Sequence, residues 1–434
     1  MRRRLNRPGK ALMKIAFVDQ PLSNFDVPPT NSVAIGIYEV ARRLAERHEV
    51  VIYTLRGRRQ SKVECLEGIQ YRRISIGRDY RPVGRFYRLL ESSSRFVKQP
   101  YASILHYVDY ILQVANDLRT QRCDIVHVPT FSQYAPIIRA FNPRVKIVLH
   151  MHCEWLSLLD RGMIERRLNH VDLIVGCSAY ITEKVQWRFP QFAERCRTVH
   201  NGVDIHRFFR ANGHPTLKED EAKRLLFVGR VSPEKGVHVL LDAFQIVAER
   251  CPGAQLEIVG SKQQLPLDLL LSLSDDKAVT ELASFYDGRS RFSYLSHLQT
   301  QLRSAGLADQ VILTDSIPHA QLANHYRRAN VVINPSFSES FGMSLIEAMS
   351  CEVPVVATRV GGMIEIVEES NAGLLVEPGD ALSLAEAILH LLANNDRREA
   401  MGRAGRQWVL DRFSWEKVVA TLLDQYERLN KRHA

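Results

Sequence analysis

The sequence lacks a long apolar run. Its longest stretch without a formal charge covers residues 125–138 and contains His, Pro, Ser, Thr and Gln. A membrane-spanning helix needs roughly 20 mostly apolar residues, so none is expected. The basic start, residues 1–10, is not followed by the apolar stretch of a secretory signal peptide. We therefore expect a cytoplasmic protein that contacts a membrane only peripherally.

Paired cysteines are also missing. The seven cysteines are scattered singly, their number is odd, and no CxxC pair occurs. This pattern argues against a disulfide framework or a zinc site, and for a reducing compartment. A DxD carboxylate pair, a Walker phosphate loop, a GxGxxG fingerprint and a GxSxG elbow are absent as well. We therefore expect no metal and no resident cofactor.

What the 434 residues do contain is the composition of an ordinary globular protein, with 45% hydrophobic and 24% charged residues. Short apolar strands alternate with amphipathic helices, and the alternation begins afresh near Arg224. This pattern predicts an α/β protein with two doubly wound, Rossmann-like domains. We place the N-terminal domain at residues 1–205. The C-terminal domain is placed at residues 206–413.

Positive charge is concentrated in the first part of the chain. Residues 1–200 hold 33 Lys and Arg against 18 Asp and Glu, whereas the remainder holds 25 against 30. Nucleic acid, an anionic bilayer and a phosphorylated acceptor all fit this charge, but no recognised motif supports nucleic acid. Residues 78–98 mix basic with aromatic side chains. This suits peripheral contact with an anionic membrane, or a grip on an acidic acceptor, and an ordinary solvated helix is the alternative.

The loops that follow the predicted strands carry the candidate chemistry, because ligands of open parallel sheets bind beyond the carboxyl ends of the strands. One strand ends at Asn334, and a loop with Glu339 leads to a helix that opens near Gly342 and carries Glu347. The free N–H groups of that helix start suit an anion or sugar hydroxyls. They would come from Phe341, Gly342, Met343 and Ser344. The two carboxylates would flank one ligand and accept hydrogen bonds from vicinal hydroxyls. The alternative is that Glu339 is a solvated loop residue and that Glu347 pairs with a nearby arginine.

A second loop, after the strand that ends at Val228, carries Gly229, Arg230 and Lys235 before a helix that Gly236 opens. Two cations beside a helix N-terminus form a cradle for a diphosphate. Two exposed surface cations are the alternative.

Three further segments are weaker. A glycine pair within residues 360–367 permits close backbone approach to a ligand, or a tight turn. His150 and His152 follow one strand and alternate between its faces, so at most one should point to a ligand and the other is a core histidine. Residues 261–290 separate a strand from its expected helix and look like an insertion, for which a tolerated surface excursion is the simplest explanation.

Together these segments resemble the retaining nucleotide-sugar glycosyltransferases of family 4, which have the two-domain GT-B fold. The most specific element is the E-x7-E pattern of Glu339 and Glu347. Four further segments accompany it in the family's order over about residues 196–395, namely GRVSPEKG, VPVVATRVGG, LLVEPGD and HNGVD. The resemblance implies two Rossmann-like domains facing across a cleft, and a final helix, at residues 414–434, that packs back onto the N-terminal domain. It also implies transfer of a hexose-type sugar from a nucleotide diphosphate sugar to a glycan, glycolipid or other small acceptor.

The resemblance implies roles by position. Arg230 and Lys235 would bind the donor diphosphate and offset the charge on the leaving group. Glu339 would contact the transferred sugar and Glu347 the ribose hydroxyls. His152 would reach the sugar from the N-terminal domain, with His150 as its substitute. Backbone groups of Phe341, Gly342 and Met343 would hold sugar and phosphate, and Asn201 would shape the hinge.

One departure from the family concerns the loop after the first strand, residues 28–36, which lacks the usual glycine pair. Backbone N–H groups of Asn31 and Ser32 are still expected to face the donor phosphate or the acceptor. Two other functions stay open. One is a GT-B sugar-nucleotide epimerase or a phosphorylase-like protein, and the other is a catalytically silent scaffold that binds sugar nucleotides.

Overall fold

A computed structural model describes most of the chain, namely residues 12–21, 27, 29, 31–76, 102–210, 223–272, 274–286 and 293–431. The basic segment 78–98 lies outside these residues. By their internal packing, the residues form two compact units. The first comprises Met1–His150, Ile164–Ile174 and Leu423–Ala434, and the second Met151–Met163 and Val175–Leu422. The limits 1–205 and 206–413 stay a prediction.

The first sheet has eight strands in the order β3-β4-β2-β1-β5-β6-β7-β8. The strands are β1 (Lys14–Val18), β2 (Glu49–Leu55), β3 (Val63–Leu66), β4 (Ile69–Ile74), β5 (Ile125–Pro129), β6 (Lys146–Met151), β7 (Leu173–Gly176) and β8 (Cys196–Thr198). β1 pairs in parallel with β2 and β5, whereas β3 and β4 form an antiparallel hairpin. Glu67 and Gly68, both at positive φ, make its two-residue turn.

Helices connect these strands, and the first of them shows why they begin where they do. Its N-cap is Asn31, whose Oδ1 accepts a hydrogen bond from the Ala34 amide at 2.9 Å. The helices are Ser32–Leu44, Val108–Gln121, Tyr134–Phe141, Trp155–Leu158, Arg161–Leu168 and Ala179–Arg188, with a 3₁₀ turn at Pro190–Arg195. Ser32 thus lies in the first helical turn, where the expected backbone donors are.

The second sheet has six parallel strands in the order β11-β10-β9-β12-β13-β14. The strands are β9 (Arg224–Val228), β10 (Gln255–Val259), β11 (Val311–Thr314), β12 (Val331–Asn334), β13 (Val355–Thr358) and β14 (Gly373–Val376). The strand order reverses between β9 and β12. Such a switch point opens a crevice for a ligand at the carboxyl ends of the strands, because the connections leave in opposite directions.

The second sheet is covered by helices whose apolar faces form one core with it, including Val237, Phe244, Ile258 and Ile388. The helices that follow β8 along the chain are Val237–Arg250, Leu267–Leu270, Lys277–Glu281, Ser293–Ser304, His319–Arg328, Met343–Ser350, Met363–Glu368, Ala381–Leu392, Asn395–Arg412 and Trp415–Lys431, with 3₁₀ turns at Pro233–Lys235 and Leu282–Phe285. The last of these helices belongs to the first unit from Leu423 onward. Within the described part of the chain, no helix combines the length and apolarity that crossing a membrane requires.

Candidate active site

The loop after β9 begins with a close approach of two backbones. The Gly229 amide donates to the Val259 carbonyl at 3.0 Å, and a Cβ on Gly260 would lie 1.8 Å from the Gly229 carbonyl oxygen. Only glycine fits at position 260. The contact ties the ends of β9 and β10 together and fixes the start of the loop that carries Arg230.

Arg230 is held in place by its own loop. Its Nη2 lies 3.1 Å from Oε1 of Glu234, and its Nε donates to the Ser232 hydroxyl at 3.2 Å. Glu234 is buried, whereas the Arg230 side chain is 39% exposed. A guanidinium has five N–H donors, so these contacts leave others for an anion. The sequence-based prediction of two cations here did not include the buried acid that orients the first of them.

Gly236 brings the loop after β9 against the loop after β12. Its φ is +67°, and a Cβ would lie 2.0 Å from the Pro335 carbonyl oxygen. The Phe337 amide also donates to the Glu234 carbonyl at 2.8 Å. The two loops on either side of the switch point are therefore in direct contact.

This contact unites the predicted cation and the predicted acid of the site. Nζ of Lys235 donates to Oε2 of Glu339 at 2.7 Å, and each side chain is less than a fifth exposed. Burial by itself would raise the pKa of the Glu339 carboxyl. The Lys235 charge and hydrogen bond, together with the Phe341 amide, instead hold that pKa below its usual value. Glu339 is therefore a carboxylate at neutral pH.

The helix Met343–Ser350 begins at Gly342, which has φ +114°, and no described side chain caps this end. Phe341 is buried behind it, and the Ser344 hydroxyl accepts a hydrogen bond from Nδ2 of Asn334 at 3.3 Å. The first backbone N–H groups of a helix carry partial positive charge. Gly342 lies three residues after Glu339, so the predicted N–H donors and the predicted carboxylate are close together in the same loop.

Glu347 faces a neighbouring helix rather than open solvent. Its Oε1 lies 2.7 Å from Nε2 of His319, and its Oε2 accepts from the Tyr326 hydroxyl at 2.7 Å. Each carboxylate oxygen has a second acceptor position, so ribose hydroxyls can still be bound. His319 and Tyr326 hold this side chain in one orientation, and neither residue was predicted from the sequence. Their contact with Glu347 spans 28 and 21 residues of chain.

The glycine pair after β13 supports the same loop. A Cβ on Gly361 would lie 1.8 Å from the Glu339 carbonyl oxygen, and one on Gly362 would lie 2.5 Å from that of Ser340. The Gly362 amide donates to the Glu339 carbonyl at 3.1 Å. The glycine pair by itself is compatible with a ligand contact and with a tight turn. In the described structure, the backbone that these glycines approach is the loop of Glu339.

A third acid, Glu365, also stabilises this region. Both of its carboxylate oxygens accept from the Ala179 amide at 3.0 Å, and Oε2 lies 3.4 Å from Nε2 of His200. Asn201 follows directly, and a Cβ on Gly202 would meet the ring of Trp415 at 2.6 Å. The HNGVD segment is thus anchored by side chains on both flanks of Asn201.

His152 lies in the loop after β6, in the second compact unit. Burial lowers its pKa to about 4, so the imidazole is neutral at physiological pH. Two residues on, Glu154 accepts hydrogen bonds from the Tyr180 hydroxyl at 2.8 Å and from Nζ of Lys184 at 2.6 Å. A neutral His152 can exchange hydrogen bonds with a sugar hydroxyl without carrying charge.

His150 is a core residue of the first unit, as one of the two alternatives predicted. Its Nδ1 lies 3.1 Å from Nε2 of His127, whose Nδ1 lies 2.6 Å from the Tyr426 hydroxyl. Asn31 and Ser32 also belong to this unit, and Lys235, Glu339 and Glu347 to the other. In the described residues, no group of three or more His, Cys, Asp or Glu side chains is arranged to hold a metal ion.

Comparisons with known proteins identify the family. The family model for Glycosyltransferase Family 4 matches residues 33–207, and that for Glycosyl transferases group 1 matches residues 210–408. Together they cover most of the chain. The chain belongs to the family 4 glycosyltransferases. The predicted family and the prediction of an enzyme are thereby confirmed.

Several proteins match this chain over nearly the whole length of both sequences. The D-inositol 3-phosphate glycosyltransferase of Thermobifida fusca is 28% identical over 97% of this chain and 93% of its own. Spore coat protein SA of Bacillus subtilis is 24% identical over 96% and 100%. Sucrose-phosphate synthase from Thermosynechococcus elongatus has a TM-score of 0.72 at 21% identity, and covers 96% of this chain and 99% of its own. The predicted GT-B fold is thus confirmed.

Proposed function

We propose that this glycosyltransferase moves a hexosyl residue from a nucleoside diphosphate sugar to a glycan, glycolipid or other small acceptor, with retention of anomeric configuration. The observation that carries the proposal is the ion pair of Lys235 and Glu339 at the β9–β12 switch point. The pair sets a cation beside an acid that would bind the sugar. Glu339 lies three residues before Gly342, where the helix Met343–Ser350 begins without a side-chain cap among the described residues.

Arg230 and Lys235 act on the leaving group. When the bond from the sugar to the diphosphate breaks, negative charge grows on the phosphate and an oxocarbenium-like centre forms on the sugar. Cations and helix N–H groups that are already oriented stabilise this charge without reorganisation. Glu234 and Glu339 provide that orientation. The two cations here supply the positive charge that a divalent metal supplies in other enzymes.

The acids select the donor. Glu347 accepts hydrogen bonds from the ribose hydroxyls, and His319 and Tyr326 keep its carboxylate oriented for them. Glu339 accepts from hydroxyls of the transferred sugar while Lys235 keeps it ionised. The acceptor hydroxyl attacks the face that the diphosphate leaves, and a phosphate oxygen takes its proton. No protein nucleophile is needed for this route.

Solved structures of similar proteins suggest the first donors to try. HepE of Anabaena, at a TM-score of 0.65, was solved in complex with UDP and glucose, and an Escherichia coli neighbour was solved with UDP-2-fluoro glucose. We therefore propose a UDP-hexose as donor. We also propose that the enzyme acts in the cytoplasm, and that residues 78–98 give it peripheral contact with an anionic membrane.

The test is a thermal-shift panel of UDP-, GDP- and ADP-sugars, followed by transfer with the donor that binds. A donor at 100 times its Kd should stabilise the protein by about 2.7 kcal/mol. NMR of the product should show the anomeric configuration of the donor. An inverted product would contradict the retaining mechanism. Binding of a donor without nucleotide release for any acceptor would favour a silent scaffold instead.

A further inference from the structure

The insertion between β10 and the helix Ser293–Ser304 packs against the loop of the two cations. At its start, the Ser261 carbonyl accepts a hydrogen bond from the Val231 amide at 2.8 Å. Near its end, the 3₁₀ turn Leu282–Phe285 lies against the turn Pro233–Lys235. The described part of the insertion is therefore more than a surface excursion, because both of its ends contact the segment that carries Arg230 and Lys235.

Aromatic side chains fix this arrangement. The ring centroids of Phe285 and His238 are 4.6 Å apart, and His238 follows Lys235 by three residues. The His238 ring also stacks on the Phe337 ring, with 5.7 Å between their centroids. The Tyr294 hydroxyl accepts from the His238 amide at 3.0 Å and lies 2.8 Å from Nδ1 of the same residue. The next residue after Phe285 is consequently held at the edge of the cation loop.

That residue is Tyr286, and its hydroxyl is enclosed but unused. The oxygen is buried and has no hydrogen-bond partner among the described residues, and the same is true of Oε2 of Glu234. Burial raises the pKa of Tyr286, the Glu234 charge raises it further, and the Arg230 charge opposes both. A buried hydroxyl without a partner costs free energy, which a bound ligand can recover by accepting its hydrogen bond.

We propose that Tyr286 is a further donor-binding residue, whose hydroxyl donates a hydrogen bond to an oxygen of the β-phosphate beside Arg230. This inference rests on the proposed function. The β-phosphate follows because the sugar is attached to it, so the charge that Arg230 offsets develops there. The insertion thereby supplies one wall of the donor site, and its neutral donor adds to the two cations without adding charge.

Tyr286→Phe is the decisive variant because it removes the hydroxyl and keeps the ring. Calorimetric titration would compare UDP, GDP and ADP, and then the monophosphate of whichever nucleoside the wild-type enzyme binds. A hydrogen bond to a charged oxygen predicts about tenfold weaker binding of the diphosphate. The monophosphate, which lacks the β-phosphate, should bind as it does to the wild type. The control is Ser284→Ala, on the exposed side of the same turn, which should change neither affinity.

The outcomes separate the two proposals. If no nucleoside diphosphate binds the wild type, the proposed function fails. If the diphosphate binds, Arg230→Ala weakens it and Tyr286→Phe does not, the inference on Tyr286 is overturned while the function stands. Equal weakening of diphosphate and monophosphate by Tyr286→Phe also overturns it, because the hydroxyl would then act on the pocket as a whole. Unchanged thermal unfolding of the variant guards against a folding defect.

Discussion

Replacing Lys235 with methionine tests the ion pair at the switch point. The change keeps an unbranched apolar side chain of similar size and removes the ammonium that lies 2.7 Å from Glu339. Breaking a fully buried pair costs about 3–5 kcal/mol of stability. Both partners are nearly a fifth exposed, so water lowers this cost and we expect about 1–3 kcal/mol. Loss of a preorganised charge at the leaving group adds about 2–4 kcal/mol to the barrier.

The two effects can be measured apart. Turnover should fall by about 30- to 1,000-fold, in an assay of nucleotide release at saturating donor. Urea unfolding should show the loss of stability. The double variant Lys235→Met with Glu339→Gln should regain stability, because no buried charge is left without its partner, but it should stay slow. Lys277→Met, whose side chain is 90% exposed, is the control.

The pH dependence has a definite sign. In the wild type the pKa of Glu339 is lowered in the folded state. Its stabilising contribution is therefore present above the ordinary carboxyl pKa and is lost as pH falls through the lowered folded value. Lys235→Met removes the charge and the hydrogen bond that lower the pKa of Glu339, while the burial that raises it stays. The pKa of Glu339 should therefore rise in this variant, and the contribution of Glu339 to stability at neutral pH should disappear. If the turnover of Lys235→Met stays within a factor of two of the wild-type value, the assigned role of the ion pair is refuted.

Three other predictions follow from single features. Gly236→Ala should destabilise the enzyme by about 3 kcal/mol or more in urea unfolding, because the new Cβ would meet the Pro335 carbonyl at 2.0 Å. Gly306→Ala shares the positive φ but meets nothing within 4 Å, so it should cost about 1 kcal/mol, and equal costs would contradict the clash. The NMR shifts of His152 should stay those of a neutral imidazole from pH 7 to 5, and a midpoint near 6.5 would contradict its burial. Flotation with anionic liposomes should show salt-sensitive binding through residues 78–98, and no binding at low salt would reject it.

Local pattern accounts for much of the fold. Strand β12 (Val331–Asn334) and the helix Val237–Arg250 lie where hydrophobic periodicity predicts them. The hairpin of β3 and β4 escaped prediction because its residues mix charged with apolar side chains. β3 lies at the edge of the sheet and none of its four side chains is fully buried, so it lacks the apolar run of a central strand.

The site divides in the same way. Arg230, Lys235, Glu339 and Glu347 could be named because they follow predicted strands or open predicted helices. Their partners could not, because Glu234 differs from any solvated acid only by its burial, and His319 meets Glu347 through helix packing. Long-range packing of this kind has no local signature. Tyr286 could not be predicted either, because its place depends on the path that the insertion at residues 261–290 takes.

The central claim is that one nucleoside diphosphate sugar lies on the two cations while its ribose lies on the second acid. A crystal structure of the wild-type enzyme with the donor that binds in the thermal-shift panel tests it most directly. We expect phosphate oxygens within hydrogen-bond distance of Arg230 and Lys235, and ribose hydroxyls on Glu347. A donor bound with its diphosphate away from Arg230 and Lys235 would contradict the account.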